Sequence, residues 1–215
     1  MYNVLSIDID WIGSYQHLEK LNRLFFSKVD SAKRILFGKH HHQILADLLD
    51  HDNINLHNID HHHDICDKDW QVMNIKNGKA THGSWVGNLM YENKIKEYIW
   101  FNNLDSEPLL ISHFGSELIL QHNIKYIADD HLEISEEIEY DLIFVALSPE
   151  YLIDHFGPCK TWLGIYQTYF DYCDCLYNDK TSKLKLCPDL ANAPLFVDEV
   201  EKKVLPKLKD GYYTT

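Results

Sequence analysis

Apolar residues fall along this chain in short unbroken runs, alternating with stretches of helical spacing. Val4-Leu5-Ser6-Ile7-Asp8-Ile9-Asp10-Trp11-Ile12, closed by Gly13, reads as a buried strand with Asp8 and Asp10 on one face of its C-terminal end. From Tyr15 to Val29, apolar residues recur every three or four positions (Leu18, Leu21, Leu24, Phe25), which predicts an amphipathic helix. Arg34 to Gly38 predicts a second short strand; Lys39-His40-His41-His42 follows it, then a helix carrying Ile44, Leu45, Leu48 and Leu49. A third strand is expected to run into Asp60-His61-His62-His63-Asp64. On the alternation of an extended chain, Asp60, His62 and Asp64 would face one way and His61 and His63 the other.

Trp70 to Gly78 reads as polar and turn-like, and Thr81-His82-Gly83-Ser84-Trp85 as the opening of a helix that runs to about Glu92. Ile95 to Phe101 predicts a strand, Leu109 to Ile111 a further short one, and Ile124 to Ile127 a weaker one. Asp129 to Asp141 reads as an acidic solvated loop, and Asp141 to Leu147, the most apolar run, as a central strand stopped by Pro149. The aromatic-rich stretch with Trp162, Tyr166, Tyr169, Phe170 and Tyr172 is expected to cover or line a pocket, and the charged tail after Asp198 to fray. The alternation of strands and helices predicts an α/β fold: three layers around a mainly parallel, doubly wound sheet, with residues 1–215 as a single domain.

Composition narrows the function. A net charge of −13 removes the basic footprint that nucleic acid requires and suits a cationic ligand or metal ions. Five cysteines, an odd number with no Cys-x-x-Cys pair, and the absence of a long apolar run predict a reduced cytoplasmic protein with no membrane partner. Oligomerisation is left open.

The candidate chemistry lies at strand ends. Two carboxylates leaving a buried strand repel one another, and a bound cation relieves the repulsion; the competing reading has one acid capping the next element and one in solvent. A turn histidine together with Asp8, Asp10, Asp60, His62 and Asp64 gives four carboxylates and two imidazoles. That is too many ligands for one structural zinc and too oxygen-rich for copper. Two divalent cations fit better, Mn²⁺ by its preference for oxygen; a pair about 3.5–4 Å apart lowers the pKa of a shared water enough to supply hydroxide near neutrality.

This order of residues resembles the arginase and agmatinase superfamily, in which Gly-Gly-Asp-His-Ser precedes Asp-Ala-His-x-Asp; Gly38 to His42 and Asp60 to Asp64 are the counterparts here. Ureohydrolases carry their Ser-x-Asp-x-Asp late, whereas Ser6-Ile7-Asp8-Ile9-Asp10 opens this chain. A smaller arginase-like family, including the peptide arginases that convert arginine of ribosomal peptides to ornithine, is similar in the order found here. The shared landmarks are the opening Asp-x-Asp strand, the His-His segment before a helix, Asp-x-His-x-Asp, Gly83-Ser84-Trp85 and Ser148-Pro149-Glu150.

The resemblance implies that Asp8 and Asp10 bridge and complete the second metal, that Asp60 bridges, and that His62 and Asp64 bind one metal each. His41 completes the first metal if His41-His42-Gln43-Ile44-Leu45 overlays the family's His-His-Glu-Ala-Leu; counting from Gly38 gives His40 instead. His82 corresponds to a proton-shuttling histidine, against a competing reading as a residue beside a helix cap. Glu150 is the candidate carboxylate for a guanidinium, whose planar donors match a carboxylate fork, against a competing reading as a helix-start acid. The implied activity is binuclear Mn²⁺-dependent hydrolysis of peptidyl arginine to ornithine and urea. Two alternatives remain: a metal-dependent phosphoesterase of the Asp-His-His type, suggested by Asp60-His61-His62, and a non-catalytic metal-binding protein.

Overall fold

A computed structural model describes residues 1–66, 68–103, 111–148, 165–169 and 184–186. Among the described residues, seven parallel strands form one sheet: β1 (Tyr2–Asp8), β2 (Ile35–Gly38), β3 (Ile54–Ile59), β4 (Ile95–Phe101), β5 (Lys125–Asp129), β6 (Leu142–Ala146) and β7 (Leu184–Leu186). Their order is β5-β4-β3-β1-β6-β2-β7, with every pairing parallel. The near-continuous apolar runs of β1, β2 and β6 follow from this arrangement, because a parallel sheet is covered on both faces.

Helix α1 (Tyr15–Lys28) packs on one face, where Leu21, Leu24 and Phe25 meet Leu5, Ile7 and Val145. It starts at Ser14, whose hydroxyl accepts from the His17 N–H. The opposite face is covered by α2 (Leu45–Leu48), α4 (Trp85–Tyr91) and α5 (His113–Gln121), which bury Leu48, Trp85, Leu89 and Leu118 against Val4, Leu56 and Phe144. Helix α3 (Asp69–Lys76) packs beside α4. The result is a three-layer α/β arrangement with helices on both sides of the sheet.

The sheet order reverses direction at β1: the chain crosses from β1 past β6 to β2, then returns to β3 on the other side. Ligands of open α/β sheets gather beyond the carboxyl ends of the strands at such a switch. The segments that leave β1, β2, β3 and β6 all emerge there.

Several sequence expectations need correction. Trp70 to Gly78 contains helix α3, not a turn; its pattern misleads because Gln71 and Ile75 are buried while Trp70 and Met73 are exposed. Gln71 is buried usefully, its side-chain carbonyl accepting from the Lys68 N–H and so closing the helix start. Helix α5 was not expected; the Ser112 hydroxyl caps it by accepting from the Gly115 N–H. Ile111 lies outside any strand, and Leu109, Leu110, Pro149, Glu150, Trp162, Phe170, Tyr172 and the tail after Asp198 lie outside the described residues. Tyr166 and Tyr169 belong to the core on the α1 side, where Tyr169 stacks on Phe25 at 4.0 Å. The acidic loop before β6 is tied down at its backbone: the buried Lys28 ammonium donates to the carbonyls of Ser135, Glu136 and Ile138.

Candidate metal centre

Alternation along β1 sets the first part of the site. Val4, Ser6 and Asp8 share the face toward α2 and α4, and Asp8 is the last strand residue. Asp10 does not continue that face as the sequence suggested. It lies in a 3-10 turn, Ile9–Trp11, where its N–H donates to Asp8 Oδ1 at 3.1 Å. The turn brings the second carboxylate back over the sheet edge, and both acids are buried.

The Asp60 segment corrects the expectation of an extended strand end in the same way. β3 stops at Ile59, and residues 60–64 form a bend in which Asp64 takes a left-handed backbone, φ 51°. Strand alternation therefore does not orient Asp60, His62 and Asp64. Local hydrogen bonds do: the His62 N–H donates to Asp60 Oδ1 at 2.9 Å, and the Val86 and Gly87 N–H groups at the start of α4 donate to the Asp64 carbonyl. Tyr98 donates to the His63 carbonyl at 2.7 Å, and Trp100 donates through Nε1 to the Asp60 carbonyl at 2.8 Å. His63 is buried beside Trp100 with its Nδ1 accepting from the Ile65 N–H, a structural part of the bend.

The turn after β2 delivers His41 rather than His40. Gln43 Oε1 accepts from the Lys39 and His40 N–H groups and fixes this turn, and His41 is buried against Trp85 and Phe144. Its Nδ1 lies 2.7 Å from Asp60 Oδ2, 3.4 Å from Asp8 Oδ2 and 3.5 Å from Asp64 Oδ2. On the other side of Asp60, His62 Nδ1 is 3.8 Å from both Asp60 Oδ1 and Asp10 Oδ2. Two groups of ligand atoms thus converge within 4.8 Å, Asp8-His41-Asp60 and Asp10-Asp60-His62, and Asp60 belongs to both. The first is sealed; the second opens to solvent through His62, whose side chain is 36% exposed.

Supporting contacts orient the ligands. Ser6 Oγ lies 2.5 Å from His41 Nε2, leaving Nδ1 for the carboxylates. Trp85 Nε1–H donates to Asp64 Oδ2 at 2.5 Å, and the Ser148 hydroxyl donates to Asp8 Oδ2. Partners of this kind fix ring and carboxylate orientation at metal sites. Ser6 and Ser148 stand in the sequence landmarks, but motif order alone assigns neither hydroxyl a role. Each is a polar step on an otherwise apolar strand face, Val4-x-Ser6-x-Asp8 and Phe144-x-Ala146-x-Ser148, and β1 and β6 pair in register with Asp8 opposite Ala146.

The electrostatics of the cluster favour a bound cation. Burial raises Asp8 to about 6, although His41 opposes the shift. Burial, together with the charges of Asp8 and Asp60, pushes Asp10 well above the usual carboxylate range. Asp64 is likewise raised by burial and by Asp60. Asp60 alone goes the other way: burial would raise it, but His41 and His62 outweigh burial and hold it low. Four buried carboxylates around two imidazoles are a costly arrangement without a cation, and this hard-oxygen donor set with two imidazoles suits divalent ions such as Mn²⁺.

His82 is exposed and meets His40 and His42, with ring centroids at 4.7 and 4.6 Å, rather than joining either converging group. Among the described residues, no helix is long and apolar enough to cross a membrane. Comparison with family models, with curated proteins and with solved structures gives no match.

Proposed function

We propose that the chain is an arginase-like binuclear metal hydrolase that cleaves a guanidinium C–N bond, converting peptidyl arginine to ornithine and urea. One observation carries the reading: Asp60 is shared between two converging ligand groups, each completed by one further carboxylate and one imidazole. The acidic chain and the resemblance in motif order support a cationic guanidinium as substrate, and an odd number of cysteines with no Cys-x-x-Cys pair supports a cytoplasmic setting.

When bound, a pair of Mn²⁺ ions supplies a nucleophile from water near neutral pH and stabilises charge on the attacked carbon's substituents. Asp8, His41 and Asp60 would hold the ion on the sealed side, with Asp64 beside His41, and Asp10, Asp60 and His62 the ion on the solvent side. Ser6, Trp85 and Ser148 keep the ligands in place. The guanidinium arrives from the His62 side, and Glu150 pairs with it.

The test is to strip metal with a chelator, restore Mn²⁺ and assay urea from arginine-containing peptides. Metal-dependent urea release is expected. Its absence across free arginine, peptides and simple guanidines sinks the guanidinium reading. Phosphate release from nucleotides under the same conditions would put an Asp-His-His phosphoesterase in its place.

A further inference from the structure

The histidines that the metal centre leaves aside gather in a second place. His40 and His42 flank His41 on the turn after β2, and His82 comes from the loop before α4. The His40 and His42 rings are nearly parallel at 5.7 Å, and His82 stands edge-on to both, 4.7 Å from His40 and 4.6 Å from His42. We propose that His40, His42 and His82 form a separate histidine-only site for a zinc-class divalent ion.

The size of the triangle carries the argument. Three imidazoles on one tetrahedral zinc, each nitrogen about 2.0–2.1 Å from the ion, put their ring centroids on the order of 5 Å apart. Centroid separations of 4.6, 4.7 and 5.7 Å are of that size, so the ring centres are spaced as a common ion would space them. The ligand atoms do not converge in the present rotamers; among the described residues only the two carboxylate-rich groups do so. Rotation of each ring about Cβ–Cγ, a broad torsion, is the adjustment required. The backbone beneath need not move: Gln43 Oε1 pins the N–H groups of Lys39 and His40, and the Thr81 N–H and hydroxyl bond to Ser84 Oγ just before the helix that follows His82.

The donor set separates this site from its neighbour. Three neutral nitrogens and an open fourth position favour Zn²⁺, Cu²⁺ or Ni²⁺, whereas the carboxylate-rich pair favours harder ions. Because His82 is exposed and His40 and His42 are half-buried, an ion can enter from solvent without passing the sealed side of the metal centre.

The experiment uses the full chain saturated with Mn²⁺ and titrated with Zn²⁺, with both metals counted per chain and the zinc environment read by X-ray absorption. One zinc per chain held by about three imidazoles, with manganese retained, is expected. His82→Ala should weaken it about tenfold or more, whereas His113→Ala, an exposed histidine elsewhere, should leave it unchanged. Asp60→Asn separates this proposal from the hydrolase reading: the zinc should persist when the carboxylate-rich groups are broken. Equal zinc binding by the wild type and His82→Ala, or zinc that enters only by displacing manganese, overturns the proposal. If His82→Ala misfolds by circular dichroism, His82→Gln provides the same comparison.

Discussion

Replacing Asp8 with Asn should stabilise the metal-free protein and destabilise the metal-loaded one. Asp8 has a folded pKa of about 6 against an ordinary 3.8, because burial disfavours its charge more than His41 supports it. Between those values the folded chain holds a proton that the unfolded chain releases. The contribution of Asp8 therefore turns unfavourable as pH rises from about 4 to about 6, and it is fully unfavourable at neutrality. The shift corresponds to about 3 kcal/mol. Asn removes that penalty but keeps only one of two acceptor roles, toward the Ser148 hydroxyl and the Asp10 N–H, at a cost of about 1 kcal/mol. A net gain of about 2 kcal/mol remains, or roughly 4–8 °C in Tm for a chain of this size. Thermal unfolding in excess chelator at pH 7 measures it, and at pH 4 the advantage should vanish. Adding Mn²⁺ at about 100 times its Kd should raise the wild type by about 2.7 kcal/mol and Asp8→Asn by much less, reversing the order. An Asp8→Asn protein less stable than the wild type in chelator, or one stabilised equally by Mn²⁺, would refute the reasoning.

Other substitutions probe the neighbouring links. Asp10→Asn should leave one manganese per chain and Asp60→Asn none, read by elemental analysis; equal loss in both would deny that Asp60 is shared. Ser6→Ala, which frees His41 Nε2, should weaken metal binding by about 10–100-fold in a competition titration and lower the metal-free stability by about 1 kcal/mol. Gly87→Ala puts a Cβ 1.9 Å from the Ile65 carbonyl oxygen, so the Asp64 bend must shift; a loss of about 2 kcal/mol or more and of metal binding is expected, and native-like denaturation would count against the close approach. His57, held neutral by burial with a pKa lowered to about 4, should contribute up to about 3 kcal/mol above pH 6.5 that fades as pH falls toward 4, and His57→Asn should flatten that part of the stability profile.

The apolar runs made β1, β2 and β6 legible because strands covered on both faces need apolar residues at nearly every position. α3 was hidden because burying Gln71 while exposing Trp70 and Met73 inverts the usual helical pattern. In the site, Asp60 and Asp64 were legible as residue types but not as geometry. The chain leaves the extended state at Ile59, and it is the left-handed Asp64 and the start of α4 that aim these side chains. Asp10 likewise reaches the site by a turn that no period-two argument contains. His41 could be preferred over His40 by motif overlay, but its burial against Trp85 and Phe144 depends on which sheet face α4 covers, which requires the topology.

That topology also explains why the acids can be concentrated at all. β1, β2, β3 and β6 are the four adjacent central strands of the sheet, so the segments leaving them meet over a floor of apolar side chains without a long loop crossing between them. The same floor removes water from Asp8, Asp10, Asp60 and Asp64, and that desolvation turns ordinary carboxylates into groups whose charge must be balanced locally. Two imidazoles cannot balance four carboxylates; by lowering Asp60 they leave the remaining acids worse off, since the charge retained on Asp60 raises Asp10 and Asp64. A cation placed on each side of Asp60 would relieve these repulsions. On the proposed reading, the geometry that makes the metal-free cluster costly is the geometry that would give it affinity for divalent ions, and both originate in the reversal of strand order beside β1.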